Sequence, residues 1–169
     1  MSGLRVVYVC GLVVAALTLQ LTLLSRLGLP GATPDLLLVV VVALALVYGP
    51  RAGALVGFGA GLAADLVPPA DHAIGRFAFV LCLIGYLAGA VRTEAARSAV
   101  GSMVVIGLAA VGAALVGAGL AEVLGEAHGV GAVLGLIPTA VLYDVLLAPF
   151  VVPAVTALAR RIDPDTLTW

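Results

Sequence analysis

Lysine is absent from this 169-residue chain, and charge of either sign is scarce: 10% of residues are charged, where soluble domains carry roughly 25%. The eight basic residues are scattered arginines and the formal net charge is -1. No basic face exists of the kind phosphate binding requires, which excludes a nucleic-acid role. The two cysteines, Cys10 and Cys82, both lie in apolar runs, which argues against a disulfide framework. His72 and His128 are single residues in different loops, with no HxxxH or cysteine pairing to give metal-ligand spacing. No serine, histidine and acid constellation can be placed at one depth, so neither a catalytic set nor a cofactor site is expected.

What the chain has in abundance is hydrocarbon: 63% of its residues are hydrophobic and the mean hydropathy is +1.27. These values predict an integral membrane protein, all-α, forming one compact domain over residues 1–169. Arg5 precedes an apolar run that resembles a signal peptide, but the run is long and no small-residue cleavage site closes it before Ser25. It is read as a retained first helix.

Clusters of Pro, Gly and charge divide the rest into six candidate spans: Val6–Ser25, Pro34–Tyr48, Pro50–Val67, Gly75–Val91, Ala99–Leu124 and Val133–Leu158. The second is only 15 residues, short of the ~20 that a bilayer requires, so it must thin the bilayer, stop early or be sheltered by neighbours. Thr33 is its expected N-cap, with Pro34 at the first helical position and Asp35 facing the positive end of the dipole. A rival parse fuses residues 34–67 into one kinked helix and strands Arg51 in mid-bilayer. Arginine placement favours six spans with both termini cytoplasmic. The inner side then carries Arg5, Arg51, Arg92, Arg97, Arg160 and Arg161, and the outer side only Arg26 and Arg76.

Within the third span, GALVGFGAGLAADL places Gly53, Gly57 and Gly61 four residues apart, with Asp65 one step further on roughly the same face. Glycine is a poor helix former in water, but in lipid helices associate through close backbone approach, and small-xxx-small steps provide it. This face is expected to pack a neighbouring helix or a partner, with Asp65 near the outer headgroups. GFGAGL is not a dinucleotide loop, because that pattern would need glycine at Leu62 and a preceding strand. Glycines recur in the fifth span at Gly101, Gly107, Gly112, Gly117 and Gly119, where tight packing inside the bundle is expected.

Two polar residues lie inside spans. Asp144 sits mid-span in YDVLLAPFVVP, among Pro138, Pro149 and Pro153; interhelical lock, proton relay and ligand contact are all open to it, though no second ionisable group is evident at its depth. Gln20 is expected to bond a neighbouring helix or to line an outward cavity. Glu122 and Glu126 end the fifth span beside His128 and are expected in water. In the loop PPADHAIGR, Asp71 and Arg76 flank His72; they form either a solvated loop or, with Asp65, an external contact surface.

The stretch from Pro34-Asp35 through the glycine-rich third helix with Gly57 and Gly61, the closing pair Asp65-Leu66, Gly75 and Tyr86-Leu87 resembles the middle of MreD, the rod-shape-determining membrane protein of bacteria. Gln20 fits, and YDVLLAPFVVPAVTALARRI resembles the family's last helix, where asparagine is common at the position of Asp144. The resemblance implies a non-enzymatic, multi-pass scaffold of the bacterial inner membrane within the cell-elongation machinery. Its implied partners are the single-span protein MreC and, through it, the MreB filament and the peptidoglycan synthases RodA and a class B penicillin-binding protein. The chain is also similar to the substrate-binding components of energy-coupling-factor vitamin transporters. That likeness implies a pocket toward the outer face and a coupling subunit docked at Gly11 and Ala15, while Gln20, Asp65 and Glu122, expected to face outward, are open to lining a pocket under either resemblance. The cytoplasmic arginines are expected to meet anionic lipid headgroups.

Overall fold

A computed structural model describes residues 3–26, 28, 30–67, 73–95, 98–125 and 130–162. Among these the chain is wholly helical: α1 (Gly3–Thr22, followed by a 3-10 turn at Leu24–Arg26), α2 (Leu36–Tyr48), α3 (Pro50–Asp65), α4 (Arg76–Ala90), the single turn α5 (Arg92–Ala95), α6 (Ala99–Val123) and α7 (Val130–Ile162). Asp71, His72, Arg97, Glu126 and His128 lie outside the described residues.

The bundle is built around α2. Every residue from Leu36 to Ala45, together with Val47, is buried, and α1, α3, α4, α6 and α7 all pack on this helix. A helix apolar on every face has no side to offer water and belongs in an interior. At ~1.5 Å per residue its 13 residues span about 20 Å, well short of a ~30 Å hydrocarbon core. Protein rather than lipid surrounds it. The helices long and apolar enough to cross a membrane are α1, α6 and the 134–162 portion of α7, with α2 and α4 shorter apolar helices. The outer surface is apolar as well, with Leu4, Val7, Val14, Leu108, Leu142 and Phe150 exposed. So large an apolar surface suits lipid and not water.

Residues 34–67 are not one helix. Gly49 breaks them with φ 86° and ψ -178°, a conformation essentially confined to glycine, and Pro50 then takes the first position of α3, where its missing N–H costs nothing. The α2 N-terminus also differs from expectation. The cap is Asp35 rather than Thr33, and the helix begins two residues after Pro34, because the Asp35 carboxylate accepts the Leu38 N–H at 3.0 Å. At the other terminus of these helices the arginines gather. The Arg5 guanidinium stacks over the Tyr48 ring at 5.0 Å, and Arg92 covers Gly49. Tyr8 donates to the Val155 carbonyl at 3.0 Å, which brings the end of α7, with Arg160 and Arg161, beside the start of α1.

Candidate functional site

Helices α3 and α4 form an antiparallel hairpin whose seam is glycine. A Cβ built on Gly53 would run into the Gly85 carbonyl, one on Gly57 into the Leu81 carbonyl, and one on Gly61 into the Phe77 carbonyl and the Ala78 backbone. As α3 advances four residues, α4 retreats four. Gly85 and Gly89 complete the zipper from the other side, meeting Gly53 and the Gly49-Pro50 link. The next step along the α3 face is Asp65. Its carboxylate accepts the amides of Gly75 at 2.9 Å, Phe77 at 3.2 Å and Ala78 at 3.1 Å, capping α4 where four N–H groups lack intrahelical partners. Asp65 is 0% exposed, so it belongs to the interior and not to an external contact surface. Glycine and aspartate therefore concentrate in one segment for one purpose: the glycines bring α4 into contact, and the carboxylate receives its first turn.

A second capping system surrounds the N-terminus of α2. Asp144 Oδ1, from α7, accepts the Asp35 N–H at 2.7 Å, and Gln20 Oε1, from α1, accepts the Leu37 N–H at 2.9 Å. The Asp35 carboxylate takes the Leu38 N–H and lies beside the Gln20 amide. The preceding segment is fastened to α7 as well: Ala32 N–H donates to Thr139 Oγ1 at 3.1 Å, and Tyr143 donates to the Pro30 carbonyl at 3.2 Å. Without water, unpaired backbone donors cost several kcal/mol each, so a helix buried end to end must take its acceptors from neighbouring chain segments. The positive end of the α2 dipole adds to the attraction for both carboxylates. Asp144, 2% exposed, thus joins the last long helix to the central one. A second ionisable group does lie at its depth, since Asp35 is its immediate neighbour.

Gln20 and Asp144 therefore meet at one place, around Asp35, whereas Asp65 serves a separate cap. Between the two caps lies a partly open cavity of about 400 Å³, bounded by α2, α4, α6 and α7, with Thr33, Asp35, Arg76 and Asp144 among its lining. Arg76 also stacks on Phe77 at 5.5 Å. Gln20, Asp65 and Glu122, expected around such a pocket, do not line it; the first two turn to backbone amides, and Glu122 is exposed. The α6 wall is made of small residues, and at Gly117 an added Cβ would meet nothing within 4 Å. Gly119 is similarly open, whereas Gly101 approaches the Ala95 backbone, so the fifth-span glycines do not share one packing role.

The family model for the rod shape-determining protein MreD matches residues 2–162. The chain belongs to the MreD family. No curated protein and no solved structure matches it. MreD-family membership and the long apolar helices together identify a membrane protein of the rod-shape-determining class. Among the described residues no group of three His, Cys, Asp or Glu side chains is placed to hold a metal ion. For an MreD-family chain, the interhelical bond of Asp144 needs only an acceptor oxygen, which asparagine also has. Thr139 and Tyr143 escaped sequence reasoning; the signal available was their position five residues and one residue before Asp144 on the same helix.

Proposed function

We propose that this protein is a six-span, non-enzymatic scaffold of the bacterial inner membrane, with both termini cytoplasmic. It binds a single-span MreC-like partner and through it serves the MreB filament, RodA and a class B penicillin-binding protein. The observation that carries this reading is the family match over residues 2–162. Three features support it. Arginines collect at one end of the bundle, the sign of a cytoplasmic face, where Arg51, Arg92, Arg160 and Arg161 meet anionic headgroups. The acceptors that sequence singled out, Gln20, Asp65 and Asp144, are engaged with backbone amides, as suits a rigid body. And the surface between α1 and α3 is an apolar groove of about 360 Å³ containing Val9, Val13, Leu55, Gly59 and Ala63. An added Cβ on Gly59 or on Gly11 would meet nothing, so both leave room for a foreign helix.

The test is capture of the partner. The tagged full-length protein should copurify with the single-span product of an adjacent gene, and its depletion should turn rods into spheres. Rod-shaped cells after depletion, together with absence of the partner from the purified material, would overturn the proposal. The alternative of a vitamin-transporter component calls for a tightly bound vitamin in the purified protein.

A further inference from the structure

Two small-residue faces run through this bundle, and they end differently. The α3 face is closed by the α4 backbone at Gly53, Gly57 and Gly61. The α6 face, from Ala110 through Ala114 and Gly117 to Ala121, borders the 400 Å³ cavity, and Gly117 has open space where a side chain would go. The volume falls within the ~300–1,000 Å³ range of small-molecule sites. Asp144 lines this cavity while being only 2% exposed. It uses Oδ1 for the Asp35 N–H, and its Oδ2 has no donor among the described residues and is not sealed by protein. A carboxylate oxygen held so far from bulk water is costly unless something in the cavity donates to it. Asp35 adds a second carboxylate at the same place. Arg76 also lines the cavity, but it stacks on Phe77 and has a further partner, so it counts here only as a charge. Two carboxylates and one guanidinium leave the lining with a single negative charge in excess.

That excess calls for one positive charge, and the vacant oxygen calls for one that donates hydrogen bonds. Phe77, Val80 and Leu81 of α4 and the alanines of α6, which make up most of the lining, call for hydrocarbon. We infer that the cavity is a binding site for a small hydrophobic primary amine. Its ammonium donates to Asp144 Oδ2, with Asp35 and Thr33 the other oxygen-bearing side chains of the lining, and its apolar body lies against the small residues of α6. Other occupants match less of what is there. Water needs ~2–4 polar partners, which a wall of alanine and glycine does not offer. A hard divalent cation takes ~6–8 oxygens, and among the described residues no three His, Cys, Asp or Glu side chains gather to supply them. A polyamine carries more charge than the lining balances and leaves the apolar wall bare. A transmembrane helix, ~10–12 Å across, is too wide to lie inside this volume. The site goes beyond the scaffold reading and stands independently of it, since partner binding is scored by a separate copurification.

The experiment places the full-length protein in phosphatidylcholine nanodiscs, whose lipid has no N–H donor, and dialyses it to equilibrium against hexylamine at neutral pH. Empty nanodiscs correct for partition into lipid. Three further probes separate the requirements. Hexyltrimethylammonium keeps the charge and the chain without an N–H, hexanol keeps the chain and a donor without the charge, and putrescine has ammonium groups without an apolar end. Wild type should bind hexylamine saturably, and at least tenfold more tightly than any of the three. Asp144→Asn keeps an acceptor for the Asp35 N–H but removes the charge, and Gly117→Leu fills the cavity wall at a point where nothing stands in the way. Both should weaken hexylamine binding at least tenfold. Gly119→Leu puts the same side chain on the same helix, at an open position outside the cavity lining, and should bind as wild type does. Thermal unfolding in the same nanodiscs reports whether each variant is folded. If Asp144→Asn fails to fold, the probe series on wild type and the comparison of Gly117→Leu with Gly119→Leu still decide the matter. Absence of saturable hexylamine binding to wild type overturns the inference. So does equal binding of hexyltrimethylammonium, or unchanged hexylamine binding in folded Asp144→Asn or Gly117→Leu.

Discussion

Adding one methyl group to Gly57 tests the glycine seam. In Gly57→Ala the new carbon would fall well inside contact distance of the Leu81 carbonyl and 3.0 Å from the Cys82 nitrogen, where ordinary contact begins at 3.4 Å. Both obstructions are helical backbone, so no side-chain rotation relieves them. The α3–α4 pair must part by about an ångström, which also loosens the contacts at Gly53 and Gly61 and the reach of Asp65 to the α4 amides. Overpacking costs about 1–3 kcal/mol and occasionally more; a backbone clash repeated along a seam belongs at the upper end. Against this, alanine gains about 0.5–1 kcal/mol over glycine in a helix interior. Gly59 lies two residues away in the same helix, and its added Cβ meets nothing, so Gly59→Ala has the gain without the clash. The propensity term cancels between the two variants, and Gly57→Ala should be less stable than Gly59→Ala by about 3 kcal/mol, roughly a hundredfold in the folding equilibrium. Reversible unfolding in mixed micelles measures it. Equal stabilities would refute the seam as the element that holds the hairpin.

Three further outcomes are expected. Asp65→Ala leaves the Gly75, Phe77 and Ala78 amides without this acceptor, at about 1–3 kcal/mol for a buried group and more where a charge was the acceptor; Asp65→Asn, which keeps one oxygen, should fall between alanine and wild type in the same unfolding assay. Gly49→Ala should cost about 1–3 kcal/mol, because φ 86° with extended ψ is closed to side chains, whereas Gly11→Ala should not destabilise. Single cysteines at the exposed positions Ala73 and Thr93, in a background lacking Cys10 and Cys82, should react with a membrane-impermeant maleimide from opposite faces of the membrane; labelling from one face removes α4 as a span.

The sequence disclosed much of this architecture, and the limits of its legibility have physical causes. Helix positions follow from hydrocarbon runs punctuated by Gly and Pro, and the four-residue recurrence of Gly53, Gly57 and Gly61 marks one helix face. It does not tell which helix that face meets. The partner of Asp144 was hidden because the donor is a backbone N–H 109 residues away, and no side-chain pattern signals a backbone group. Thr33 and Asp35 are both good caps by local preference; tertiary acceptors on α1 and α7 decided between them. The cavity was invisible for a similar reason. Small residues on α3 and on α6 read alike as letters, yet Gly53, Gly57 and Gly61 are closed by the α4 backbone whereas Gly117 opens on the cavity.

The burial of α2 bears on how this chain reaches its final state. The 13-residue α2, shorter than the hydrocarbon core is thick, is complete only when α7 places Asp144 over the amide of its cap, Asp35, 109 residues earlier in the chain. Until then the α2 N-terminus has to find provisional acceptors at a membrane surface or in an insertase. Maturation of the bundle is therefore tied to the synthesis of α7, and chains truncated before residue 144 should be substrates for membrane proteolysis.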